Sequence, residues 1–566
     1  NEELISAGGG VYSRTLKSIV LSPEARAALG APDRPFTPNE LVSVVLQAPV
    51  DVLWNGGIGT YVKATSESHA DLGDRANDGV RVNGADLRCR IVGEGGNLGL
   101  TQLGRVEYAL AGGLVYTDAI DNSAGVDCSD HEVNIKILLD GIVDAGKLTT
   151  DQRNDVLVSM TDEVAELVLD HNRAQTLALV IARRQALPMV NVHARYIDVL
   201  VTEGWLDRGL EYLPTDKQIA ERQAAGNGLQ APELAVLIAY TKNANVAEME
   251  RSDLPEVSLL ESDLVRYFPS ELRRRYPDAI RRHPLRRQII STAVVNQMVN
   301  LSGISFDHRM TEDTGASVVD VTRAWIVARE VFGFADLWAE IETLTGQVPL
   351  DVQLDLFLDC RRMVERATLW LLRHRRPPID IASAVAQFQP GIAALARGLE
   401  PVLVGKMAAV VHSVEASRLT AGVPEVLAER AGVWPLLHTG LDLVEVAAAH
   451  GRDVVDVARV EWAVLDRLDL TWLWDGIGAL PRSDRWQTQA RSALRDDLLT
   501  ALAELTTTVI DSADGSVERW MEVNERSVSR VSEMFTEIRR AESYDLTTLS
   551  VALRQLRNLA LTSVTR

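Results

Sequence analysis

Within residues 49–127, a short apolar run stops three times at a loop of small polar residues: PVDVLW before NGGIGT, RCRIVG before EGGNLG, and GLVYTDAI before DNSAGVD. Apolar runs of this length, bounded by glycine and asparagine, read as strands. Helical patterns follow, as in TQLGRVEYALAGG and HEVNIKILLDGIVDAG. Strands alternating with helices predict a parallel sheet, and ligands of such sheets sit at the C-terminal strand ends. The three loops are therefore expected on one rim, within an α/β part covering residues 1–140.

From residue 141 onward the reading is helical. TTDQRNDVLVSMTDEVAELVLDHN opens with a threonine cap and an acidic first turn, and QAPELAVLIAYTKN carries Pro232 near a helix start. The run from Pro349 ends at Pro377-Pro378, which divides the helical part into regions 141–376 and 377–566. No fixed-period repeat is evident.

Charge excludes some functions. The formal net charge of −21 repels polyanions, so neither nucleic acid nor an anionic membrane is an expected partner. No apolar run approaches the roughly 20 residues that span a bilayer. Cys89, Cys128 and Cys360 show no CxxC spacing, which fits a reducing, cytoplasmic setting. The start, Asn1-Glu2-Glu3-Leu4, predicts a chain cut from something longer.

The loops carry the chemistry. In GEGGNLGLTQ, Gly93, Gly95 and Gly96 allow close approach to the backbone or positive φ. Asn97 is both donor and acceptor, and Thr101 is placed to cap the next helix. A glycine-rich turn accounts for this loop alone as well as a ligand does, and the GxGxxG fingerprint is not here. In DNSAGVDCSDHE, Ser129 or Asp130 is a plausible helix cap, which explains one polar residue of many. A metal on Asp127, Asp130 and His131 is not expected, because the stretch fits no calcium loop and lacks a second histidine. Asn55, Gly56, Gly57 and Gly59 form the third loop. Three such loops at successive strand ends point to a nucleotide edge.

VDVLWNGGIGTYVKA, VGEGGNLGLTQLGRVEYALAGG and TDAIDNSAGVDCSDHEVNIKILL resemble the large NAD-specific bacterial glutamate dehydrogenases. HPLRRQIISTAVVNQMVNLSGISF is similar to the helical C-terminal region of that family. The resemblance implies part of a Rossmann-like doubly wound sheet followed by a large all-α region, with NAD as cofactor. Glutamate, 2-oxoglutarate and ammonium are the implied reactants. It places Asn97 near the nicotinamide ribose and the substrate α-carboxylate, and Asn122 at the carboxamide. Val126 is implied to pack on the substrate methylenes and Ser129 to donate to the distal carboxylate. Asn55, Gly56, Gly57, Gly95 and Gly96 lie along the cofactor on this reading. The family's catalytic lysine and aspartate match nothing here: residues 1–140 offer only Lys17, Lys63 and Lys136. The catalytic pair and the phosphate loop are expected upstream, and the chain alone is expected to be inactive.

Two other readings stay open: a dehydrogenase of the same fold for another amino acid, and a non-catalytic helical scaffold that senses nucleotide. Ser129 speaks against an apolar substrate. The helical part is expected to be structural and to assemble a homo-oligomer. The basic run Arg273, Arg274, Arg275, Arg281, Arg282, Arg286 and Arg287 reads as an ion-paired face, His283 as structural, and Trp472 and Trp474 as buried core or interface anchors.

Overall fold

The computed structural model describes residues 4–482, 484–540 and 544–564. The chain folds as two units, Asn1–Phe306 and Asp307–Arg566. In the first, the apolar runs make short strands: β1 (Val52–Asn55), β2 (Val62–Lys63), β3 (Val82–Asn83) and β4 (Ile91–Glu94). β1 pairs with β4 in parallel, Val52 opposite Ile91 through Asn55 opposite Glu94, and β2 pairs in parallel with β3. Leu114 adds a single parallel bridge to Ile91. Among the described residues these ladders are small, and they do not by themselves make a doubly wound sheet. Beneath them Val62, Val82, Leu87, Cys89, Val92, Leu100, Tyr108 and Val115 form one buried cluster.

Two local expectations are corrected. GLVYTDAI is not a strand beyond its one bridge: Asp118–Asp121 is helical. The Asp118 and Asp121 carboxylates accept backbone N–H groups from the second loop, at Leu98 and Glu94, and this holds the segment in a helical turn. The following helix runs Ser123–Asp144, with Asn122 at its cap position, so Ser129 and Asp130 lie inside it and cap nothing. Only Asn122 separates this helix from the preceding one. Thr101 does cap the helix Gln102–Leu110, its Oγ1 accepting from the Gly104 N–H at 2.9 Å.

The rest of the first unit is helical and includes Thr161–Arg184, Ala231–Arg251 and Arg286–Ser302. Pro232 sits in the first turn of its helix, where its missing N–H costs nothing. Six of the seven arginines of the basic run, all but Arg282, are ion-paired within their own unit. Arg273 meets Glu163, Arg274 and Arg275 meet Glu271, Arg281 meets Glu261 and Asp278, and Arg286 and Arg287 share Glu256. His283 is buried and structural: its Nδ1 accepts from the Leu285 N–H, and its Nε2 donates to the Asn134 carbonyl at 3.1 Å.

The second unit has no strand among the described residues. Its helix Leu350–His374 packs on Val318–Val331 and on Glu425–Leu437, and it ends ahead of Pro377-Pro378. Trp325, Trp434, Trp462 and Trp520 are fully buried. Each buries about 150 Å² or more of largely apolar surface by the usual scale of such side chains, roughly 4 kcal/mol at about 25 cal/mol per Å². Trp472 is buried edge-on to Phe535, with ring centres 5.6 Å apart, whereas Trp474 is only half-buried. No single helix among the described residues is long and apolar enough to cross a membrane.

Candidate functional site

The ends of β1 and β4 lie side by side, so their loops meet. Asn55 at the end of β1 accepts at its carbonyl from the Gly95 and Gly96 N–H groups, at 2.9 and 3.0 Å. Gly96 lies against Gly57, where an added Cβ would come within 2.4 Å of the Gly57 carbonyl oxygen. A Cβ on Gly95 would come within 2.4 Å of the Trp54 indole, which stands 64% exposed on the same rim. The bulk lying against this glycine is therefore the chain's own Trp54. Neither Gly95 nor Gly96 has positive φ; the left-handed residue of the loop is Leu98. The third loop closes the rim: Asn122 Nδ2 donates to Asn97 Oδ1 at 3.4 Å.

Beneath the loops is a charged network that sequence reasoning missed. Glu94 is fully buried and takes a two-pronged ion pair from Arg105, at 2.7 and 3.0 Å. It also accepts from the Leu100 N–H at 3.0 Å. Arg105 reaches on to Asp118 at 3.2 Å. Asp121 accepts from the Glu94 N–H, yet burial, with added repulsion from Glu94 and Asp118, pushes its carboxyl up to about 6. The only sequence signal for this network was a glutamate among glycines, with an arginine eleven positions on.

The structure brings Asn55, Gly56, Gly57, Gly95, Gly96, Asn97 and Asn122 to one rim. Val126 and Ser129 follow on the Ser123–Asp144 helix, both exposed. Asn55 Nδ2 is buried without a hydrogen-bond partner, while its Oδ1 faces the Gly57 N–H at 3.5 Å. Lys63 is buried, its ammonium held by the Ala64 carbonyl and Asn83 Oδ1, and Lys136 pairs with Glu132. Elsewhere in this unit Lys242 borders a cavity of about 410 Å³ with Gln175, Asn243 and Asn296. Burial pushes its amine down to about 7. It lies in a helix that showed only periodicity.

A small parallel α/β part with a polar loop rim, joined to a large all-α part, defines the class. Residues 1–182 match the family described as bacterial NAD-glutamate dehydrogenase, catalytic domain, and residues 226–558 match glutamate dehydrogenase, C-terminal. The chain belongs to the large bacterial NAD-glutamate dehydrogenase family. It is 45% identical, over 99% of its length, to an NAD-specific glutamate dehydrogenase of Pseudomonas aeruginosa. It is 42% identical, over its whole length, to one of Mycobacterium tuberculosis. The chain spans 35% of the length of each of these relatives.

Proposed function

We propose that the chain is the part of an NAD-dependent glutamate dehydrogenase that forms one wall of the nicotinamide and glutamate site. The observation that carries this reading is the rim itself, where three loops distant in sequence converge through Asn55, Gly96 and the Asn97–Asn122 pair. The rim also suits a dinucleotide edge. Asn55 keeps a buried, unpartnered amide, Gly56 and Gly57 are exposed, and Asn97 is open to solvent. On this reading the short parallel ladder belongs to a Rossmann-like doubly wound sheet completed elsewhere in the protein.

Bound NAD supplies the hydride acceptor, C4 of its nicotinamide. The chain's own residues position the reactants. Asn122 holds the carboxamide, and Asn97 orients the ribose and the glutamate α-carboxylate. Val126 lies against the methylenes, and Ser129 donates to the distal carboxylate. Glutamate loses hydride from Cα, and the resulting imine is hydrolysed to 2-oxoglutarate and ammonium. Neither Lys63 nor Lys136 is free to handle protons, because each is already engaged. We assign the acid and base to the part of the relatives' length that this chain does not cover. The helical unit is assigned to homo-oligomer assembly, and the three free cysteines suit the cytoplasm.

The test is NADH formation by the full-length protein with glutamate, run beside leucine and beside NADP. Turnover confined to glutamate and NAD supports the assignment. Retained NAD binding without turnover of any amino acid overturns it in favour of a nucleotide-sensing scaffold.

A further inference from the structure

We propose that Asp127, His131 and His171 form a binding site for one divalent transition-metal ion of the zinc type. Asp127 and His131 are one helical turn apart on Ser123–Asp144, so they share a face. His171 comes from the neighbouring helix Thr161–Arg184, supplying the second histidine that the local stretch lacks. His171 Nδ1 lies 2.8 Å from Asp127 Oδ2, and His131 Nε2 lies 3.9 Å from Asp127 Oδ1. All three donor atoms fall within 4.8 Å of one another. In a tetrahedral site with metal bonds of roughly 2.0–2.1 Å, neighbouring donors stand about 3.3 Å apart. The 2.8 and 3.9 Å gaps lie on either side of that value.

His131 is the second, independent observation. It is fully buried, and neither ring nitrogen has a hydrogen-bond partner. An unsatisfied buried imidazole is costly, and coordination through Nε2 removes that cost at one of its two nitrogens. Its plane is held in a stack, 4.3 Å from the Tyr267 ring and 5.6 Å from the His171 ring. Tyr267 is itself fixed, donating to Asp130 Oδ2 at 2.7 Å and accepting from Asn134 at 2.9 Å. Asp130 is thereby committed to the tyrosine. Two imidazoles and one carboxylate suit zinc, cobalt or nickel better than magnesium or calcium, which take oxygen donors. The His171 side chain is 53% exposed, so solvent reaches the site and supplies the fourth ligand. The bound ion would tie the helix carrying Val126 and Ser129 to its neighbour.

The experiment uses full-length protein stripped with a chelator and titrated with Co²⁺ and Zn²⁺ against excess Mg²⁺. One ion per chain, with the visible bands of four-coordinate Co²⁺ and a raised melting temperature with Zn²⁺, is the expected result. His171→Ala and Asp127→Asn, at positions open enough to leave the fold intact by circular dichroism, should weaken binding beyond the roughly 10–100-fold that loss of an outer-shell partner costs. Absence of stoichiometric binding to the unaltered protein overturns the proposal. So does binding that both variants retain, or that Mg²⁺ displaces equally well. None of these readouts depends on glutamate turnover.

Discussion

Asn122 Nδ2 donates to Asn97 Oδ1 across 3.4 Å, joining two loops 25 positions apart. The proposed function assigns both carboxamides to the reactants, and in the chain they hold each other. Replacing Asn122 by alanine should raise the KM for NAD and leave melting temperature nearly unchanged. One neutral hydrogen bond lost is worth roughly 3–10-fold in affinity. Ser129→Ala should instead raise the KM for glutamate by roughly 10–100-fold, since its partner is charged. Steady-state kinetics on the full-length protein separates the two. Equal effects on both substrates would count against the assigned roles.

The Glu94–Arg105 pair is a stability element. Arg105→Leu leaves a buried carboxylate with no cation at its two oxygens, a loss on the order of 3–5 kcal/mol. Replacing both residues by apolar ones of similar volume should restore part of this, less the roughly 1–3 kcal/mol cost of leaving the buried Leu100 N–H without its acceptor. Chemical denaturation of the single and double variants tests the claim, and a single variant as stable as the unaltered protein refutes it.

Asp121 predicts a pH effect. Its folded carboxyl titrates near 6, above the ordinary aspartate value. Between about pH 4 and pH 6 the folded state holds a proton that the unfolded chain has released. Stability from this group therefore falls as pH rises through that window and is level above it. Asp121→Asn keeps an oxygen for the Glu94 N–H and removes the charge. Its advantage over the unaltered protein should grow from near zero at pH 4 to on the order of 2 kcal/mol at pH 7. Thermal melts at the two pH values measure it.

Gly95 distinguishes the chain's own indole from a cofactor as the reason for a glycine. Gly95→Ala should destabilise by about 1–3 kcal/mol, because the methyl meets Trp54. In a Trp54→Ala background the same change should cost much less. If Gly95 serves only the cofactor, the variant will lose NAD affinity in both backgrounds and stability in neither.

Local features were legible from the residues. Thr101 caps the helix it was expected to cap, because a side-chain oxygen three residues ahead of an N–H is a short-range relation. The Ser123 helix start was misread for the complementary reason. The Ser129-Asp130 pair looks like a cap, but Asp118 and Asp121 bind backbone groups of another loop and start helical structure earlier. The ion pairing of the basic run holds at six of its seven arginines, whereas Glu163, Glu256 and Glu261 as partners became known only from the fold.

The sequence alone determined the alternation of short strands with glycine loops, the long helical remainder, and the family resemblance, since periodicity, capping and motif spacing are properties of neighbours along the chain. Only the tertiary structure decided that Trp54 covers Gly95, that Glu94 is neutralised by Arg105, and that His171 stands beside Asp127. Those relations depend on β1 pairing with β4 and on helices packing side by side, where the distance along the chain carries no information about the distance in space.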